Sequence, residues 1–406
     1  MLGQLENWVR ESFGWGANPA DVNKRGVELF EQHRYQEALA EFDRAIAAAP
    51  YFAWPWLNRG GCRAMLGDNQ AAIADYTRAI DLNPQWVTAY NTRGLAYYEL
   101  RQHAAAYADF EQAIALNPQD MALVVNRAAA AVGLGRFDQA LADATLVLSR
   151  DPGQAVALMH RSSALAGLGR FDLSMADADE AVIKSGYAVP QLLHRAGLLQ
   201  RLDRLREAAA DAERILAQEP NHAGAWQILG TIRYFAGDLH KAISDLSECL
   251  SRAPGDMLAL NNRGAAYFLL GQYAAADADL RTAVERAPTF ASAKKNLAWM
   301  RATCPDNQYR NGDEAVSLAT QAIEMIRGDQ PAWLEVLAAA YAEKGEFAAA
   351  IQWQQKALDE LGALGDSPTA RRLRLYQSNE PFRHTCASGE PLELIPGGRV
   401  VSPLRE

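Results

Sequence analysis

The chain is 406 residues long, carries a formal net charge of −9, and has 22% charged residues. That balance, with no basic stripe against it, excludes a general affinity for nucleic acid or an anionic membrane surface. No run of about 18 apolar residues occurs, so no membrane-spanning helix is expected. At the N-terminus, Leu2, Leu5, Trp8 and Val9 recur at helical spacing before Gly14, Gly16 and Pro19 stop them. This spacing predicts a short helix within a capping segment, residues 1–18, that covers the open apolar end of the helices after it. The stretch lacks a positive n-region and carries Glu6, which makes it a poor secretory leader.

From Pro19 the chain repeats. Prolines fall at Pro50, Pro84, Pro118, Pro152, Pro220, Pro254 and Pro288, spaced by 34 or 68 residues, and the skipped place holds Gly186. Small residues recur on the same ruler, at Gly26, Gly60, Gly94, Ala128, Ser162, Ala196, Gly230, Gly264 and Ala298. A second small series follows twelve residues later, from Ala38 and Ala72 to Ala276. Each unit therefore reads as two short amphipathic helices that approach closely, and it can bury its apolar face only against copies of itself. Eight such repeats span residues 19–290, and two more span 291–364, the first with a longer loop between its helices, TCPDNQYRNG. A capping helix is expected in 365–380, with Leu373, Leu375 and Tyr376 lying on the last repeat. Residues 381–406 turn to proline, glycine and isolated hydrophobics, which predicts an extended tail, either draped over the repeats or free of them.

The stretch from Val87 to Asp120 shows the unit most clearly, through Tyr90, Gly94, Tyr97, Ala106, Phe110, Ala113 and Pro118. This pattern resembles the tetratricopeptide repeat, and the resemblance covers roughly residues 19–364. It implies an all-α, right-handed superhelical solenoid of about ten helix-turn-helix repeats. Residues 291–364 are similar to a terminal module found at the end of many bacterial members. The resemblance also implies a non-enzymatic interaction scaffold that binds a partner peptide or protein segment in a concave groove, with no cofactor. In the family the first helix of each repeat lines that groove. Mapping its places onto this chain selects Asn58, Asn91, Tyr98, Asn126, Tyr234, Phe235, Asn262, Phe268, Asn296 and Trp299 as candidate groove residues, with Gln227 and Lys295 beside them. Asparagine suits a peptide backbone because it both donates and accepts, and aromatics supply apolar anchors. Two other readings stay open: a structural subunit that assembles through its convex face or ends, and an accessory or regulatory subunit of an enzyme encoded elsewhere. Partner identity and oligomeric state are not legible in the residues.

One ionic pattern runs through the repeats. Arginine precedes the small residue at Arg25, Arg59, Arg93, Arg127, Arg161, Arg195 and Arg263, and an acid follows sixteen residues later, from Glu41 and Asp75 to Asp211 and Asp279. Antiparallel helices bring these positions together, so an ion-pair ladder is expected rather than a phosphate track. Asp245 faces Leu229 instead and should find another donor. GLGRF at Gly133 and Gly167 imitates a dinucleotide fingerprint, but it follows no strand and falls in the turn between helices. His160 and His194 lack a third ligand for a metal. The carboxylate clamp of the chaperone-binding subfamily would need cations where Thr88 and Thr92 stand. Cys62, Cys249, Cys304 and Cys386 are scattered and read as reduced structural thiols of a cytoplasmic protein.

Overall fold

A computed structural model describes residues 18–326, 330–362, 367–384 and 395–396. The expected N-terminal helix lies outside the described residues, as does most of the tail. The described chain is helical from Pro19 to Gln377 with no strand, and it divides into two units, residues 1–191 and 192–406.

Within each unit the sequence ruler becomes pairs of antiparallel helices. The pair Val87–Glu99 and His103–Leu116, of 13 and 14 residues, is typical. Its turn is built around Arg101, held at φ 59°, while Gln102 N donates to Tyr97 O at 2.9 Å. The same left-handed place recurs at His33, Gly67, Gly135, Gly169, Asp203, Gly237 and Gly271. A reversal this tight needs one residue past the helix end at positive φ, which glycine adopts without penalty. The GLGRF motifs are two of these turns.

Close approach explains the small positions. A Cβ added at Gly94 would sit 2.7 Å from the Phe110 ring, and one at Gly60 would sit 2.6 Å from Tyr76. Where the first helix carries Ala128, Ser162 or Ala196 instead, the residue sixteen places on is Ala144, Ala178 or Ala212, each fully buried. Each helix pair thus holds its contact volume roughly constant by trading a side chain on one helix for one on the other. Ser162 and Ser174, on the two small series, each donate their hydroxyl to the other's carbonyl at 2.8 Å.

The arginine ladder forms as the spacing predicts. Arg59, Arg93, Arg127, Arg161, Arg195 and Arg263 each grip the aspartate sixteen residues on through Nε and Nη2 at 2.6–2.9 Å. Arg25 reaches Glu41 through a single bond of 3.2 Å. The arginines also tie repeats together, since Arg59 reaches Asp43, Arg93 reaches Thr77 and Arg263 reaches Ser247 on the preceding second helix.

Asp245 lacks this partner and takes Arg233, twelve residues earlier, instead. Burial pushes its carboxyl up to about 6 from an ordinary 3.8, against the pull of Arg233 and helped by nearby Asp238. A carboxyl raised in the fold keeps more protons folded than unfolded between these values. Its contribution to stability is therefore full below about pH 4 and lost as pH rises through about 6. Asp245→Asn should remove that part of the slope, so that thermal melts of the variant gain on the wild type between pH 4 and 7.

The longer loop between the helices Ala291–Thr303 and Gly312–Glu324 contains a short 3-10 turn, Asn307–Tyr309. It is braced by Arg310, which donates to the Cys304 and Pro305 carbonyls at 2.9 Å. The capping helix runs Pro368–Gln377 and buries Leu373 and Tyr376 on the last repeat, with Leu375 packed beside them. Its Arg372 pairs with Glu335 at 2.9 Å, both buried. Cys62, Cys249 and Cys304 are buried, and burial raises the Cys62 thiol to about 11 and that of Cys249 to about 12. Cys386 lies outside the described residues.

Candidate binding groove

The first helices present asparagine at their fifth and sixth places, and the structure spends part of each amide on its neighbour. In the N-terminal unit Asn58 donates to Asn23 at 3.1 Å and Asn126 donates to Asn91 at 2.9 Å. The fifth place of one helix lies beside the sixth place of the next, which gives a spacing of 35 residues. Each amide has two donor hydrogens and two lone pairs, so capacity remains after one such bond. Tyr98 lies edge-on to His103, 5.2 Å between ring centres.

In the C-terminal unit the amides join into a relay. Asn296 donates to Asn261 at 2.9 Å, Asn261 to Asn262 at 3.0 Å, and Asn262 to Thr231 Oγ1 at 3.0 Å, while Gln227 donates to the same hydroxyl at 2.8 Å. The three asparagines are buried. The relay leaves Asn296 Oδ1 buried with no hydrogen-bond partner among the described residues.

Beside the relay lies a cavity of about 510 Å³, lined by Gln227, Thr231, Tyr234, Phe235, Asn262 and Lys295 among others, with Arg201 and Asp203 both on its wall. Tyr234 and Phe235 stand edge to face at 5.3 Å, and burial pushes the Tyr234 phenol up. Lys295 brings a cation next to the amides. Burial lowers its ammonium to about 8, and its Nζ stands 5.4 Å from the Trp333 ring. That Nζ donates to the backbone carbonyl of Pro396 at 2.6 Å, and Ile395, itself buried, forms part of the cavity wall.

The structure thus brings Tyr234, Phe235, Asn262 and Asn296 together around one cavity. It places Asn58, Asn91, Tyr98 and Asn126 along the N-terminal first helices. Phe268 and Trp299 require a correction, because both are fully buried and are not open to a ligand. The ring of Phe382 lies 5.7 Å from that of Trp299, and His384 lies 5.2 Å from Phe268 and 6.3 Å from Trp299. The covering segment, Pro381–His384, is fixed by a bond from His384 N to Thr303 O at 2.9 Å and by Arg383, which pairs with Glu343 at 2.6 Å. Register alone put the two aromatics on the groove, and nothing periodic announces a cover more than eighty residues away. The sequence reading placed Lys295 on the groove without singling it out, and it missed Thr231, at the ninth place of the helix Ala223–Phe235, altogether.

Sequence models of three repeat families match the chain. A TPR repeat model matches residues 64–101, one tetratricopeptide repeat model matches 87–120, and another matches 125–189, 229–291 and 310–368. The chain belongs to the tetratricopeptide repeat family. No curated protein matches it in sequence. Among solved structures, a tetratricopeptide repeat protein from Parabacteroides merdae is 18% identical with a TM-score of 0.55, and the match covers 61% of this chain and 98% of that one. A thermophilic TPR protein from Thermus thermophilus is 22% identical, with a TM-score of 0.41 and coverage of 45% and 98%. The type IV pilus biogenesis factor PilW is 19% identical, with a TM-score of 0.46 and coverage of 52% and 100%. The first of these likenesses shows the fold.

Proposed function

We propose that the chain is a non-enzymatic scaffold whose first-helix groove, in the C-terminal unit, binds an extended segment of another protein. The observation that supports this reading is the bond from Lys295 to the Pro396 carbonyl, in which the groove already holds a piece of peptide backbone beside an open cavity. The cavity offers what such a segment needs: amides that donate and accept, and aromatic anchors in Tyr234 and Phe235. Lys295 is set among neutral amides and Arg201 shares the wall with Asp203, so binding rests on hydrogen bonds and apolar contact more than on charge. The buried thiols of Cys62 and Cys249, in no disulfide, fit a reducing compartment such as the cytoplasm. The candidate residues of the N-terminal unit, Asn58, Asn91, Tyr98 and Asn126, would extend the same chemistry along further first helices.

A displayed library of random peptides selected against the intact chain tests this. Selected peptides should bind with little change between roughly 50 and 500 mM salt, since no run of ion pairs is available to be screened. Replacing Phe235 and Lys295 together by alanine should weaken them by about 2 kcal/mol, or roughly thirtyfold, with the helical signal intact. Glu285→Lys, at an exposed place on the second helix Tyr273–Arg286, should leave binding unchanged. Loss of binding in Glu285→Lys with none in the groove variant would replace the groove by the outer face.

A further inference from the structure

The residues that cover Phe268 and Trp299 belong to this chain, and they bury both rings without meeting every polar atom nearby. Pro381–His384 has no regular secondary structure and lies across the first helices Met257–Leu269 and Ala291–Thr303. It packs on the aromatic faces beneath it, yet among the described residues two polar atoms of the helix Ala291–Thr303 stay buried with no partner: the indole nitrogen of Trp299 and Oδ1 of Asn296. Asn296 and Trp299 are three residues apart and so share one side of their helix. One offers an acceptor and the other a donor. A buried polar group left without a partner bears the full cost of leaving water, and neither Pro381–His384, held by its own backbone bond to Thr303 and by Arg383, nor Ile395–Pro396 supplies a partner to either atom. At the other described contact, Lys295 meets a single carbonyl.

We propose, resting on the groove reading above, that Pro381–His384 and Ile395–Pro396 are a built-in ligand that occupies part of the groove and that an external segment must displace. The displacing segment is extended. It presents a carbonyl to the Trp299 indole N–H, an N–H to Asn296 Oδ1, and an aromatic side chain at the place of Phe382. A single residue in extended conformation carries such a carbonyl and N–H, which is why a peptide backbone and not a small anion suits the pair. Self-occupation lowers the apparent affinity for any outside segment by the fraction of time the seat is free.

The test uses the intact chain and, as probe, a fluorescein-labelled synthetic peptide of residues 379–397 with Cys386→Ser. Phe382→Ala combined with His384→Ala in the protein should empty the seat, so that this variant binds the probe at least tenfold more tightly than the wild type does. A probe carrying the same two alanines should bind neither. Equal affinity of the two proteins, or no binding by a variant whose circular dichroism is unchanged, overturns the proposal. Amide exchange of the unaltered chain supplies a measurement that does not depend on any variant. The amide of His384 should exchange by local opening at least a hundredfold faster than those in the middle of the helix Ala291–Thr303. Exchange of the two together would mean that the segment is a fixed part of the fold and would equally overturn the proposal. Because the probe is the chain's own sequence, these outcomes do not depend on whether library peptides bind.

Discussion

Asp143→Ala is expected to lower the stability of the N-terminal unit by about 3 kcal/mol, the low end of what is found when one partner of a buried ion pair is removed. Asp143 is 3% exposed and takes two bonds from Arg127, at 2.8 and 2.7 Å, and one from Gln139 at 2.9 Å. Removing the carboxylate strands a guanidinium whose proton affinity its bond to Asp143 raises, near the Tyr107 ring and against helices that leave it little water. The low end of the range applies because the Arg127 side chain keeps 17% of its exposure and can turn outward. Arg34 and Glu37 make an equally short pair at 2.6 Å on the open surface, where solvent screens it. Glu37→Ala should leave the urea midpoint where it was. Equal effects from Asp143→Ala and Glu37→Ala would mean that the ladder is ornamental.

The second large effect concerns Gly94 and Phe110. Phe110→Ala should cost about 3–5 kcal/mol, because a fully buried ring leaves a cavity. Gly94→Ala should cost about 1–3 kcal/mol in the wild type, where the new methyl meets the ring at 2.7 Å. In the Phe110→Ala background the same change should turn neutral or stabilising. It would then fill space and gain the roughly 1 kcal/mol by which alanine exceeds glycine inside a helix. The chain already contains this combination at Ala128 and Ala144, both fully buried. Urea denaturation of the four proteins measures the coupling, and additivity within about 0.5 kcal/mol would contradict the close-contact account.

What the sequence disclosed came from strict periodicity. The helix pairs and the arginine ladder repeat at fixed spacing, so the copies of a weak signal add up, and Asp245 stood out as the place where the ladder's arginine is missing. The trade between Gly94 with Phe110 and Ala128 with Ala144 was equally visible on that ruler, but only to a reading that compared positions sixteen apart. The groove was legible in part. Register put Tyr234, Phe235, Asn262 and Asn296 near one another, because facing places on successive first helices are fixed by the repeat, and the four line one cavity. It did not disclose the bonds between neighbouring asparagines, since a spacing of 35 that lets one amide reach the next does not stand out beside a period of 34. It could not foresee the cover on Phe268 and Trp299, because Pro381–His384 occurs once and its contacts are set by tertiary packing alone.

The central claim is that partner segments lie along the first helices of the C-terminal unit. Photocross-linking measures this most directly, with a benzophenone amino acid placed at Phe235 in one protein and at Glu285 in another, each exposed to a library-selected peptide. The account predicts that the peptide is captured from position 235 and not from position 285, with capture at 235 reduced by Lys295→Ala. Capture from position 285 alone would contradict it.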